Sequence, residues 1–238
     1  MDSHLAVLGT GGGPSRGHRT LAEKAYETLH AAIITGALRP GARLPIEELA
    51  EHLEMSPMPI REAVRRLDAV GLVDNVPHRG ARVTALSVTD LAEVYEVRLA
   101  LEPLAIRRTA ARFTTAVAAH CRDRLDTLEG MADDTSAATS EAHADFHFAF
   151  YEAADSAWLL RLIKPAWQVS ERYALEWPQV RELEARAEEH REILAACEAH
   201  DPDRAARALH DHLATTANGL AQAMGGEPLY RLDATGVE

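Results

Sequence analysis

The sequence predicts a mostly α-helical protein in two parts: three short helices with a two-stranded hairpin, then a bundle of six long helices. Three observations predict this fold class. Apolar residues recur at helical spacing over most of the 238 residues. Short extended segments flanked by turns occur between residues 72 and 84. Beyond Leu86 the segments become long and rich in alanine, with almost no strand pattern.

The N-terminal part begins with three short helices. The first runs from Leu21 to Ile33, and Gly36 ends its apolar pattern. Pro45 should open the second, Ile46–Leu53, from the first helical position, where a missing N–H costs nothing. The third spans about Met58–Val70, after a serine that suits an N-cap.

A hairpin follows the third helix. Leu72 and Val73 are extended, the segment 77–80 forms a turn, and Ala81–Thr84 returns. Gly80 can take the positive φ that a tight turn requires. Three short helices followed by a hairpin indicate a winged helix-turn-helix.

The rest of the chain predicts an all-α domain packed as a six-helix bundle. Its helices should span residues 88–111, 115–132, 137–154, 157–175, 179–199 and 202–223. We therefore divide the chain into a flexible tail (1–19), a winged helix-turn-helix domain (20–86), an all-helical domain for ligand binding and dimerisation (87–225) and a polar, frayed C-terminal tail (226–238).

Composition restricts the function classes. The apolar content, 47%, excludes a wholly disordered chain. With neither a membrane-spanning run nor a signal-peptide core, we expect a cytoplasmic protein. Two cysteines are too few for a disulfide framework or a thiolate zinc site, so reduced buried thiols are expected.

The formal charge of −12 is unevenly distributed. Residues 20–86 hold 8 Lys+Arg and 9 Asp+Glu, whereas residues 87–238 hold 15 and 27. The acidity therefore belongs to the second half, and a DNA-binding module at the front is allowed.

The third helix carries the residue types that read DNA. In a helix-turn-helix, the N-terminal residues of the second helix of the motif meet base edges in the major groove. Arg61 and Arg65 lie four apart on one face and can contact guanine or phosphate. From spacing alone, a solvated face of surface arginines is as good an interpretation. A basic hairpin tip next to this helix favours DNA contact. The candidate DNA-binding residues are Ser56, Met58, Arg61, Arg65, His78, Arg79 and Gly80.

The helical half contains histidines at spacings that suit a metal. His143 and His147 are four residues apart, so both imidazoles project from one helix face and can bind one ion. His190 and His212 lie on two later helices, and spacing alone cannot bring them together. Without further information, scattered histidines are more often surface or core residues.

Combined motifs in residues 22–84 resemble a known family. The segments are GALRPGARL, ELAEHLEMSPMPIREAVRRLDAVGLV and PHRGARV. They look like the winged-helix domain of GntR-family transcriptional regulators. Many members have an arginine after the serine of the signature, where this chain has Pro57, a departure that concerns the operator sequence. Arg61 matches the second arginine of that signature.

Residues from about 87 to 223 resemble the FCD ligand-binding domain of the FadR-like branch, and six helices indicate its VanR-like subgroup. The matching segments are VRLALEPLAIRRTA, HADFHFAFYEAADSAWLLRLI, EEHREILAACEAHDPDRAARAL and HDHL. In many such domains an acidic residue and three histidines hold a metal. The resemblance implies that His147, His190 and His212 match the histidines.

His143 stands where the family has its acidic ligand. Asp145 lies roughly 200° around the helix from it and should not substitute. The predicted ligands are therefore His143, His147, His190 and His212, a set that suits Zn²⁺ first, with Ni²⁺ or another transition metal possible. A carboxylate effector would supply the missing negative charge, and Arg98 is its candidate partner. A salt bridge from Arg98 to Glu102 is the alternative.

These expectations describe a DNA-binding transcriptional regulator that is not an enzyme. Of the two directions of regulation, repression is favoured. A homodimer would bind double-stranded operator DNA and respond to a small carboxylate or sugar acid near a divalent transition metal. Two alternatives stay open: a regulator whose effector is the metal itself, and a metal-dependent hydrolase.

Overall fold

The computed structural model describes residues 20–76, 80–131, 137–178 and 183–232, and the chain divides into two compact units between Leu86 and Ser87. The mostly helical fold class is confirmed in these residues. The predicted tail 1–19 lies outside them. No helix in the described part of the chain is long and apolar enough to cross a membrane.

The N-terminal unit contains helices α1 Leu21–Ile34, α2 Ile46–His52 and α3 Pro57–Ala69, and strands β1 Arg43–Leu44, β2 Val73–Val76 and β3 Gly80–Val83. Thr20 caps α1 through a capping box with Glu23. Helix α3 buries an apolar stripe of Ile60, Val64 and Leu67, which leaves its arginines exposed on the opposite side. Pro45 is the N-cap of α2 and not its first helical residue, a correction of one position.

The sheet of the wing has three strands in the part of the chain that the structure describes, so the expected two-stranded hairpin was incomplete. The order is β1-β3-β2 and both pairings are antiparallel. Arg43 pairs with Arg82, and Val73 with Val83. Strand β1 has two residues, too few for an alternating pattern in the sequence. It is defined by its pairing with β3.

The described residues of the C-terminal unit form six helices: α4 Val88–Ala110, α5 Thr115–Glu129, α6 Ala137–Ala153, α7 Ala157–Glu176, α8 Leu183–Glu198 and α9 Pro202–Ala223. Helix α4 packs against α6, α7, α8 and α9 and is therefore central to the bundle. Cys121 and Cys197 are free and buried, and burial raises the pKa of each thiol to about 12.

The segment after Gly225 was expected to fray, but it is attached to the helices at Tyr230. The Asn218 side chain donates to the Tyr230 carbonyl and accepts from the Tyr230 N–H, both at 2.9 Å. The Tyr230 hydroxyl donates to the Ala92 carbonyl at 3.1 Å. These bonds tie the segment to α9 and α4.

Candidate functional site

Four histidines from three helices meet inside the C-terminal unit. His143 and His147 project from α6, His190 from α8 and His212 from α9. One ring nitrogen of each lies within 4.8 Å of the others, and the ring centroids are 4.7–6.2 Å apart. We call this set the histidine cluster. The packing of α6, α8 and α9 thus brings together four imidazoles that spacing alone could not join.

The chemistry of the cluster fits a transition-metal ion. His147, His190 and His212 are buried, and the Nε2 atom of His147 has no hydrogen-bond partner among the described residues. Burial, reinforced by the neighbouring histidines and Arg98, holds the pKa of His147 well below 6.5. A neutral imidazole with an unused nitrogen lone pair is the form that binds Zn²⁺ or Ni²⁺.

Two of the imidazoles are oriented by residues behind them. His212 Nδ1 lies 2.8 Å from Glu189 Oε2. His147 Nδ1 lies 3.3 Å from the Tyr151 hydroxyl, which donates to Glu102 Oε2 at 2.6 Å. Because Tyr151 has given away its single proton, His147 Nδ1 must donate to it. Both Nδ1 atoms are then protonated, and Nε2 is left as the ligand atom.

Arg98 lies beside the cluster and is engaged by Glu102, the alternative that its spacing allowed. Its Nε and Nη2 atoms donate to the two Glu102 oxygens at 2.6 and 3.2 Å, and Nη1 donates to Ser170 Oγ at 2.8 Å. Both charged side chains are buried. The guanidinium carbon also lies 4.5 Å from the Trp167 ring centroid. Three of the guanidinium's five N–H groups are thus engaged.

Two residues of this site, Glu189 and Trp167, escaped the sequence reasoning. Glu189 had a usable signal, since it directly precedes His190. Asp145, which the sequence excluded as a ligand, is exposed and lies 3.7 Å from Arg124.

The predicted DNA-contact residues of α3 share an exposed surface. Ser56 is the N-cap of α3 and its side chain makes no capping hydrogen bond. Met58 is 67% exposed, and both arginines are exposed as well. Arg61 lies 2.8 Å from Glu47 of α2, and Arg65 lies 2.5 Å from Glu62. Exposed pairs of this kind are weak and can exchange for phosphate or a base edge.

The wing tip is described in part. Gly80 has a φ of +78°, the left-handed conformation expected at this turn. His78 and Arg79 lie outside the described residues.

Two family models match the chain over both units. The model described as bacterial regulatory proteins, gntR family, matches residues 21–83, and the FCD domain model matches residues 93–215. The chain belongs to the GntR family of bacterial transcriptional regulators. Members of this family bind operator DNA and are not enzymes, so the hydrolase alternative is excluded.

Relatives of this GntR regulator match it along most of their length. A protein of Paenarthrobacter nicotinovorans described as "Probable D-xylose utilization operon transcriptional repressor" is 33% identical, over 87% of this chain and 92% of its own. The repressor GlaR of Escherichia coli is 28% identical, over 84% and 96%. The solved structure of E. coli McbR/YncC has a TM-score of 0.74 and 25% identity, and the match covers 87% of this chain and 99% of that one.

Proposed function

We propose that this GntR regulator is a homodimeric repressor whose operator affinity is set by a small organic acid bound near a metal ion in the helical unit. The observation that carries the proposal is the convergence of four buried or half-buried imidazoles from α6, α8 and α9. The names of two relatives, both called repressors, support the direction of regulation.

The charge of the site favours an acidic effector. The four histidines that would hold the metal include no carboxylate. The positive charge of Arg98 is already balanced by Glu102. A divalent ion, Zn²⁺ or Ni²⁺ by ligand type, supplies a Lewis-acid centre that attracts an anionic oxygen. A carboxylate or sugar acid would supply the anionic oxygen to the metal. The remaining N–H groups of Arg98 lie beside the histidine cluster.

DNA recognition is proposed for α3 and the wing. Ser56, Met58, Arg61 and Arg65 are exposed at the N-cap of α3 and along it, and the sequence adds His78, Arg79 and Gly80 as candidate contacts. Two copies related by two-fold symmetry would read a pseudo-palindromic operator. An effector changes operator affinity only if it prefers one dimer geometry over the other.

The test compares His147→Ala/His190→Ala with His210→Ala, an exposed histidine of α9 that pairs with Asp211. Elemental analysis should find metal near zero in the double variant and unchanged metal in the control. Operator binding, followed by fluorescence anisotropy, should persist in both, while the response to a panel of carboxylates and sugar acids is lost in the double variant.

Three outcomes would contradict the proposal. Full metal occupancy in the double variant would reject the histidine site. Graded release from DNA by Zn²⁺ or Ni²⁺ with no added acid would show that the metal itself is the effector. Sedimentation of the free protein as a monomer at the concentrations that bind DNA would reject the homodimer.

A further inference from the structure

A buried donor beside the histidine cluster lacks an acceptor. The indole Nε1 of Trp167 is buried and has no hydrogen-bond partner among the described residues. An unsatisfied buried N–H destabilises the fold, so native structures seldom keep one without a reason. Indole N–H is a donor without acceptor capacity and cannot bind a metal ion.

Trp167 lies between the histidine cluster and Arg98. Its ring centroid is 5.0 Å from that of His147 and 5.5 Å from that of His143. The Arg98 guanidinium carbon lies 4.5 Å from the same ring. Trp167 therefore contacts both the metal-binding histidines and the arginine.

The neighbouring groups do not offer this donor an acceptor. The lone pair of His147 Nε2 is the one a metal would use, and its Nδ1 donates to Tyr151. The two Glu102 oxygens accept from Arg98, and one of them also from Tyr151. An acceptor supplied by a ligand would satisfy the indole.

We infer that Trp167 recognises the carboxylate effector: Nε1–H donates to one carboxylate oxygen while the other oxygen binds the metal held by the histidine cluster. This inference rests on the metal and acid of the proposed function. It assigns a specificity role, since a ligand that binds the metal through one atom and carries no second acceptor gains nothing from Trp167.

The test removes the N–H and keeps the ring. In a Trp158→Phe/Trp177→Phe background, biosynthetic incorporation of benzothienylalanine replaces the Trp167 N–H by sulfur. Cobalt-loaded protein is titrated with acetate, followed by the visible absorption of Co²⁺. Imidazole, which binds cobalt through one nitrogen and carries a donor at its far side, is the matched ligand.

In the protein with benzothienylalanine at position 167, the cobalt content and the affinity for imidazole should not change. Acetate should bind about tenfold more weakly, because a hydrogen bond to a charged acceptor is lost. Trp167→Phe should give the same selective loss, and Trp158→Phe, at a 69% exposed position, none.

Equal acetate affinity with and without the N–H would overturn the role of Trp167 and leave the metal and the acid in place. Equal weakening of acetate and imidazole would also overturn it, since the effect would then be on the metal. Failure of the unmodified protein to bind cobalt, or of acetate to change its spectrum, would overturn the proposed function together with this inference.

Discussion

Arg98→Met should lower the free energy of unfolding of the helical unit by about 3–5 kcal/mol, because it leaves a buried carboxylate without its counter-charge. Glu102 is 0% exposed, and the Tyr151 hydroxyl would be its remaining partner. Methionine keeps much of the apolar stem that packs near Tyr95 and Trp167. The loss therefore comes mainly from the unpaired charge.

Urea denaturation followed by tryptophan fluorescence measures this loss in the right unit, because Trp158, Trp167 and Trp177 all belong to it. With a urea dependence of about 2 kcal/mol/M, a loss of 4 kcal/mol moves the midpoint by about 2 M. The double variant Arg98→Met/Glu102→Met should recover much of the stability, since neither position then leaves an unpaired buried charge.

Arg204→Met is the matched control. Arg204 makes a bidentate pair with Glu192 at 2.7 Å, but both side chains are more than 40% exposed. Its loss should cost little, because exposed ion pairs contribute little to stability. A midpoint for Arg98→Met within about 0.5 M of the control, or a double variant less stable than Arg98→Met, would refute the reasoning.

Three further outcomes are expected. Burial raises the pKa of Glu171 to about 7, against the influence of Arg98 and Arg186 and with that of Glu102. The native state then keeps a proton that the unfolded chain releases near 4.5, so stability should fall as pH rises from there to about 7, and Glu171→Gln should flatten that slope in urea titrations. Arg61→Ala should weaken operator binding by about 1–3 kcal/mol in anisotropy assays, whereas Arg66→Ala, whose guanidinium stacks on Tyr26, should not; equal affinities would remove Arg61 from the interface. Asn218→Ala should speed proteolysis near Tyr230 through the loss of two hydrogen bonds, and an unchanged cleavage rate would contradict that attachment.

The sequence predicted the helices well because apolar spacing and caps are local signals. The apolar spacing of Ile60, Val64 and Leu67 and the N-cap position of Ser56 are examples. Strand β1 was missed because its two residues are ordered by pairing with β3 and carry no pattern of their own. The exposed face of α3 could be deduced from the sequence, because it lies opposite the buried apolar stripe of the same helix.

The candidate site was less accessible from sequence because it depends on packing between helices. The pair His143 and His147 was readable from a spacing of four, but the approach of His190 and His212 required the bundle. The spacing of four also allowed the pair of Arg98 and Glu102, but spacing could not show that both side chains are buried. Trp167 had no local signal at all.

The hydrogen bond from His147 to Tyr151 has a consequence for ion uptake. Because this imidazole is already neutral and in the required tautomer near neutral pH, an incoming cation displaces no proton from it. Uptake at this ligand should carry no buffer-dependent heat in calorimetry. The protonation step that weakens many histidine sites in mildly acidic solution is, at this position, deferred to lower pH.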